Sequence, residues 1–364
     1  AGDDLLGTID FIGEDAGNNL TSYVTMSTMI QDVTGGSEDG RFQLKLQSGG
    51  TARNILDITG SNVIHFNSDG EDINFRYDSD TVANALFVDG ATGYVSTGTL
   101  GTSNTRLGVN AGDAITSGGN YNVLIGDEAG TAITTGGNNV AVGYAALKTE
   151  DGNGYNVAVG AEALETLNAG ANAYNVAVGY QAGHDVTTGK YSTYIGGQTG
   201  QNITTGTYNT AVGQAALNDD TTGQRTTAIG YGALSTQNFT GSQISYNTAV
   251  GYVAGTALTT GQSNSLVGYA AGDALTTGFA NTVVGSAALS AEDTGRKNVA
   301  IGAGTLENQN NDVDNHNTAV GYNAGLDLTT GVESTFIGSL AGDNITTGSY
   351  NVAVGVGALS TDQL

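Results

Sequence analysis

The sequence predicts an all-β protein whose larger part is a parallel β-roll or solenoid, and three observations carry that prediction. From about residue 104 the chain repeats Asn-(Val/Thr)-Ala-(Val/Ile)-Gly, with the glycine at 108, 126, 143, 160, 179, 196, 213, 230, 251, 268, 285, 302, 321, 338 and 355. Most intervals are 17 residues and the exceptions are 18, 19 and 21, so the repeat implies about 15 coils, each stacked on the next to bury what one coil cannot bury alone. Within a motif the residues alternate as a strand does. In Asn139-Val140-Ala141-Val142-Gly143 the two Val share one face, and Asn, Ala and Gly share the other. Finally, the 364 residues include 58 Gly and no Pro. Proline lacks the N–H that a sheet ladder uses, and without a G-X-Y period the glycine is not collagen-like.

Taken in chain order, residues 1–100 lack the repeat but read as a small β-rich domain. Arg41-Phe42-Gln43-Leu44-Lys45-Leu46 alternates, with Phe42, Leu44 and Leu46 on one face. Further strands are expected at 54–59, 62–66, 72–77 and 84–88, punctuated by turns at Ser37-Glu38-Asp39-Gly40 and Ser68-Asp69-Gly70. Ser-Thr-Gly-rich sequence near 95–104 marks the boundary, giving domains 1–100 and 101–364. The chain begins Ala1-Gly2-Asp3-Asp4, without an initiator Met or a signal peptide, so an upstream anchoring or export segment is expected to have been cleaved or left out.

In the repeats, the residue before the glycine forms a column: Ile125, Val142, Val159, Val178, Ile195, Val212, Ile229, Val250, Val267, Val284, Ile301, Val320, Ile337 and Val354. Read as a stacked aliphatic ladder, it is the expected core of the roll, each buried side chain worth roughly 1.5–3 kcal/mol. The Asn column reads either as an amide ladder or as a run of turn residues. After the strand, coils are of two kinds. One continues Ala-Gly and closes with an aliphatic residue, Thr-Thr and Gly, and the other has Ala-Leu, as in Ala145-Ala146-Leu147. They run in pairs, giving a four-coil unit of about 71 residues, from Gly108 to Gly179 to Gly251 to Gly321. Once per unit the small Ala becomes large, at Leu124, Tyr194, Leu266 and Phe336, and the interval is stretched near 161–174, 231–246 and 303–316.

Asp and Glu number 35 against 10 Lys and Arg, a net charge of −25. That balance argues against nucleic acid, whose phosphates would go unneutralised, and against an anionic membrane surface. No apolar run is long enough to cross a membrane as a helix. Cys is absent, which removes disulfides. Structural divalent cations remain open, although no metal-binding motif indicates one and no cofactor is expected.

Two families share these motifs. The Asn-x-Ala-(Val/Ile)-Gly coils, about 70% of the chain, resemble the left-handed β-roll heads of trimeric autotransporter adhesins, although 17 residues is long for that family. The N-terminal segment, with Gly7-Thr8-Ile9-Asp10-Phe11, Ser37-Glu38-Asp39-Gly40 and Ala85-Leu86-Phe87-Val88-Asp89-Gly90-Ala91-Thr92-Gly93, resembles tail fibres of tailed phages, notably marine ones. The resemblance implies a homotrimer, intertwined or side by side, on a virion or otherwise extracellular, contacting other virion proteins and a host glycan or protein receptor. It also implies a C-terminal self-cleaving chaperone, and none follows the repeats before Leu364.

Nothing in the sequence groups into catalytic machinery. His65, His184 and His316 lie far apart, and HExxH, EF-hand and phosphate-loop patterns are missing. The acids Glu162, Glu165, Asp219, Asp220, Glu292, Asp293, Asp312 and Asp314 read as surface groups rather than as a facing glycosidase pair. The expectation is therefore a non-catalytic fibre whose stretched loops face a receptor through Asn168, Phe239, Gln243, Asn308 and Asn311. A bacterial extracellular adhesin or self-assembling surface filament is the alternative. An ice-binding solenoid is less suited, because adjacent Thr residues point to opposite faces of a strand.

Overall fold

A computed structural model describes residues 4–14, 20–32, 39–48, 51–59, 63–66, 75–77, 86–88, 95–96, 103–241 and 243–360. The chain divides into two compact units, Ala1–Gly98 and Thr99–Leu364. Among the described residues there is no helix.

The first unit holds two antiparallel sheets. In one, β1 (Asp4–Glu14), β2 (Leu20–Asp32), β3 (Asp39–Ser48), β4 (Thr51–Thr59) and β5 (Val63–Phe66) pair in chain order. The other joins β6 (Phe75–Tyr77), β7 (Leu86–Val88) and β8 (Val95–Ser96). The four expected strands after residue 50 and the alternating segment at 41–46 match β3 to β7. The longest pair, β1 with β2, went unread because its apolar residues do not alternate cleanly. Leu5, Ile9 and Phe11 on β1 are all more than half exposed. The expected turn at Ser68-Asp69-Gly70 lies outside the described residues.

The second unit is a parallel β-solenoid. Fifteen strands of three residues, β9 (Thr105–Leu107) to β23 (Val352–Val354), pair in strict chain order, so every coil supplies one strand. At one strand spacing per coil, roughly 4.8 Å, the stack is on the order of 70 Å long. Register never slips: Val140, Ala141 and Val142 face Val157, Ala158 and Val159, and so on along the stack. The motif glycine has a positive φ, +136° at Gly143, and a Cβ there would lie 2.5 Å from the carbonyl oxygen of Gly160 in the next coil. A side chain would thus separate the coils.

The expected core ladder is reversed. The strand residue that is buried in every complete coil is the central one, Ala141, Ala158, Ala177, Ala211 and their equivalents. The column before the glycine stacks in register but on the outer face. Val142, Val159, Val212, Val250 and Val320 are half-buried, while Val178, Ile195, Ile229, Val267, Val284, Ile301 and Ile337 are 36% to 42% exposed and Val354 66%. The interior is already filled from the turn side by Leu147, Leu164, Ile133, Ile203 and their equivalents, so most coils carry Ala at the inward strand position, with Val283 and the four large residues as exceptions. The β-branched residues suit the outer face of a strand equally well.

The Asn column lies inside and stitches the coils. Asn156 N–H donates to Asn139 Oδ1 at 3.0 Å, and Asn139 N–H to Asn122 Oδ1 at 2.9 Å. The same pattern runs through Asn264, Asn281 and Asn298. In most of these coils the Asn Nδ2 also reaches across its own coil, as from Asn122 to Gly136 O at 2.9 Å and from Asn209 to Gly223 O at 2.9 Å, whereas Asn156 Nδ2 turns to Gly154 O and Asn139 Oδ1. Where oxygen and nitrogen are both used the buried amide is satisfied, and Asn298 is the exception, its Nδ2 buried without a hydrogen-bond partner.

The four-coil beat is a packing rule. In Ala-Leu coils the Leu adopts positive φ (52° at Leu147) and fills the interior from the turn side. In Ala-Gly coils the same position is Gly, and the interior is filled instead from the strand by one large residue per pair of coils. Tyr194 lies between Gly183 and Gly200, where added Cβ atoms would come within 2.9 and 2.5 Å of its ring. Phe336 lies likewise between Gly325 and Gly342, and Leu124 and Leu266 between their own glycines. The two aromatic layers carry Ser192 and Ser334 in the Asn column, whereas the two Leu layers keep Asn122 and Asn264, so volume is conserved across the layer.

Candidate interaction surface

The outer face of the fifteen-stranded sheet runs through every coil of the solenoid from β9 to β23. Each strand turns two side chains outward: Val or Thr at the first position, as Val157 and Thr210, with Ser265 the exception, and the Val/Ile column, begun by Leu107, at the third. Two series of exposed tyrosines flank this row in sequence. Two residues before the strand's first outward position come Tyr155, Tyr174, Tyr191 and Tyr208, stacked with ring centroids 5.0, 5.8 and 5.1 Å apart. Arg225 continues the series, its guanidinium 5.9 Å from the rings of both Tyr208 and Tyr246. Two residues after the strand's last position come Tyr231, Tyr252 and Tyr269, spaced 5.2 and 5.7 Å. Coil stacking imposes these spacings, and they hold the rings in offset-stacked contact, worth about 0.5–1.5 kcal/mol per pair beyond burial. The tyrosines were legible as a composition but not as ladders, because their positions are shared with Asn, Ser, Ala and Lys in other coils.

The stretched loops are not uniformly outward. Asn168, Gln243 and Asn308 are exposed, as expected of receptor-facing residues, and Asn311 is half-buried, its Nδ2 donating to Thr330 O at 2.9 Å. Phe239 is fully buried, so it anchors its loop and has no receptor-facing surface.

What anchors these loops was missed. Glu150, Asp220 and Glu292 occupy, in the first Ala-Leu coil of each unit, the inward position that is aliphatic in Ala-Gly coils (Ile133, Ile203, Leu275), and all three are fully buried. Asp220 and Glu292 are therefore not the surface acids expected. Asp220 Oδ1 accepts from the N–H groups of Gly223 (3.0 Å) and Phe239 (3.3 Å), and Oδ2 from Gln237 Nε2 (2.7 Å). Glu292 accepts from Gly295 N–H (2.7 Å), Asn311 N–H (3.3 Å), Gln309 Nε2 (3.1 Å) and Asn315 Nδ2 (2.8 Å). Glu150 takes Asn153 Nδ2 (2.9 Å) and Ala169 N–H (3.5 Å). An inserted loop brings backbone N–H groups that the coil ladder cannot pair, and the carboxylate supplies the acceptors. Burial pushes all three acids above their usual range, partly offset by these hydrogen bonds. The available signal was an acid recurring once per unit at an aliphatic position.

The remaining acids stay outside. Asp219 and Asp312 are exposed and Asp293 is partly so. Asp314 lies 2.5 Å from Lys297 Nζ, 3.8 Å from Arg296 and 3.9 Å from His316, and the Lys297 hydrogen bond holds its carboxyl below the usual range. His184 is brought beside Glu162 and Glu165, with ligand atoms of all three within 4.8 Å of one another. The side chain of His65 lies outside the described residues.

No family model, curated protein or solved structure matches the chain.

Proposed function

We propose that this chain is a non-catalytic structural fibre protein of a phage virion, a tail fibre or similar appendage, that works as a homo-oligomer and mediates attachment to the host surface. The observation that carries this reading is the outer sheet face: a continuous aliphatic column beside a Val/Thr row that only Ser265 interrupts, flanked in sequence by tyrosine ladders, on a solenoid whose interior is already filled. Exposed apolar surface of that extent marks an interaction site. The aliphatic row suits packing against further copies of the chain, as a homotrimer would provide, and the half-exposed Leu5, Ile9 and Phe11 of β1 suit the same or another virion protein. Tyrosine offers large rigid contact area at low entropic cost. The ladders and the exposed loop residues Asn168, Gln243 and Asn308 suit the apolar faces and hydroxyls of a surface glycan or the polar surface of a protein receptor.

The deciding experiment is electron microscopy of native source material with the chain located by a specific antibody. Label on short rods projecting from virions supports the proposal. Label on cell envelopes or long free filaments overturns it in favour of a cellular adhesin.

A further inference from the structure

We propose that Glu162, Glu165 and His184 form a binding site for one borderline divalent transition-metal ion of the Zn2+ class. Glu162 and Glu165 lie in the coil that follows Val159, and His184 takes in the next coil the position that Glu165 takes in its own, five residues after the motif glycine. Coil stacking therefore sets the imidazole directly over the carboxylate, with His184 Nε2 3.0 Å from Glu165 Oε2. Asp185 Oδ1 lies 2.6 Å from Nδ1. Carboxylates only accept hydrogen bonds, so each ring nitrogen of His184 faces an acceptor, Nδ1 that of Asp185 and Nε2 that of Glu165. With the proton on Nδ1, the Nε2 lone pair and the two glutamates present three donor atoms to one cation. A proton on Nε2 serves Glu165 alone, whereas a metal ion gathers all three donors.

The geometry suits a small ion. Bonds of about 2.1 Å in a tetrahedron place donor atoms roughly 3.4 Å apart, so Nε2 and Glu165 are nearly in position and Glu162 closes by side-chain rotation. Its other anchor, Gln181 Nε2 at 2.7 Å from Glu162 Oε2, steadies it from the coil that bears His184. The nearby ammonium of Lys148 is held by Glu128 at 2.6 Å and makes a longer ion pair with Glu165 Oε1 at 3.9 Å, while Oε2 is the oxygen that faces His184. Carboxylate on the far nitrogen of a histidine is the outer-shell arrangement that raises ligand basicity at metal sites, and one imidazole with two carboxylates favours zinc-like ions over calcium. The site is confined to one unit. The positions of Glu162, Glu165 and His184 are Gly232, Ser235 and Thr256 in the second unit and Gly304, Glu307 and Leu326 in the third. A bound ion would clamp two coils across the first stretched loop.

The test is calorimetric titration of the full chain, stripped with EDTA, with ZnCl2, alongside CoCl2 titration followed by visible absorption and a CaCl2 control. The expected result is one saturable zinc site, cobalt d–d bands displaced by zinc, and at least tenfold weaker calcium binding. His184→Ala should abolish the site, and Asp185→Asn should weaken it by about 10–100-fold. Should His184→Ala disturb the coil, Glu162→Gln, which keeps an acceptor for Gln181, should still weaken zinc about tenfold. Zinc binding that is absent from the parent protein, or unchanged in the folded variants, overturns the proposal.

Discussion

At the scale of single residues, the inward Asn and the outward Val exchange the roles that hydrophobicity alone would assign them. Asn139 makes three kinds of contact at once: its Oδ1 takes the N–H of Asn156, its Nδ2 reaches Asn153 O at 3.1 Å, and its own N–H is held by Asn122. Asn139→Ala leaves buried backbone groups of two coils without partners, a cost of about 1–3 kcal/mol per orphaned group. Val142→Thr on the outer face should stay within about 0.5 kcal/mol. Denaturant midpoints of the two variants check the contrast, and equal losses would refute it. The buried acids make a second residue-scale prediction. Their carboxyls are raised in the folded chain, so ionisation costs stability. That cost is absent below the unfolded values near about 4 and grows as pH rises through the raised ones. Between pH 4 and 7 the parent protein should lose more stability than the Asp220→Asn/Glu292→Gln double variant. A steeper loss in the variant would mean that the hydrogen bonds outweigh burial.

The structural element of the solenoid is a pair of coils rather than one. Tyr194 serves two coils because both place glycine against its ring, and its layer makes room by carrying Ser192 in place of Asn. Its hydroxyl is buried near Ser192 and Asn209 without good hydrogen-bond geometry to any group, and burial pushes its pKa up to about 12. Phe336 fills the equivalent layer of another unit without that hydroxyl, so Tyr194→Phe should be neutral or stabilising by up to about 1 kcal/mol. Ser192→Asn alone should overpack the layer at a cost of about 1–3 kcal/mol. Adding Tyr194→Leu should recover most of it by recreating the Asn122 and Leu124 pairing, a coupling that a double-mutant cycle of thermal midpoints measures. Additive losses would show that the layers do not trade volume as described.

For the solenoid unit as a whole, the outward aliphatic row sets the behaviour to expect. Stability in stacked repeats is a sum of neighbour terms, so charging the outer face should leave each coil intact while preventing association. Val142→Lys, Val159→Lys and Val212→Lys together should shift the sedimenting species toward a monomer and leave the circular dichroism spectrum unchanged. Sedimentation velocity at matched concentrations reads the outcome. An unaltered mass in an oligomeric parent would move the proposed contact elsewhere, with the exposed apolar residues of β1 as the next surface to charge, and a monomeric parent would overturn the proposed homo-oligomer.

The sequence by itself determined the solenoid's strand positions, the coil period and the four-coil unit, because each is a spacing that tandem repetition writes directly into residue order. It also marked which residues share a face, since alternation follows from strand geometry. Which face points inward was decided only by the tertiary structure. Val and Ile outrank Asn and Ala on any hydrophobic scale, yet an interior already filled by the turn-side Leu and Ile residues takes Ala at most inward strand positions. It also offers the Asn amide a backbone donor in the next coil and a carbonyl across its own. The buried acids and the pairing of His184 with Glu162 and Glu165 depended on the same fact. Residues 17 to 23 apart in sequence meet only when the coils stack in register, and that register sets both the loops that need a carboxylate and the imidazole that stands over one.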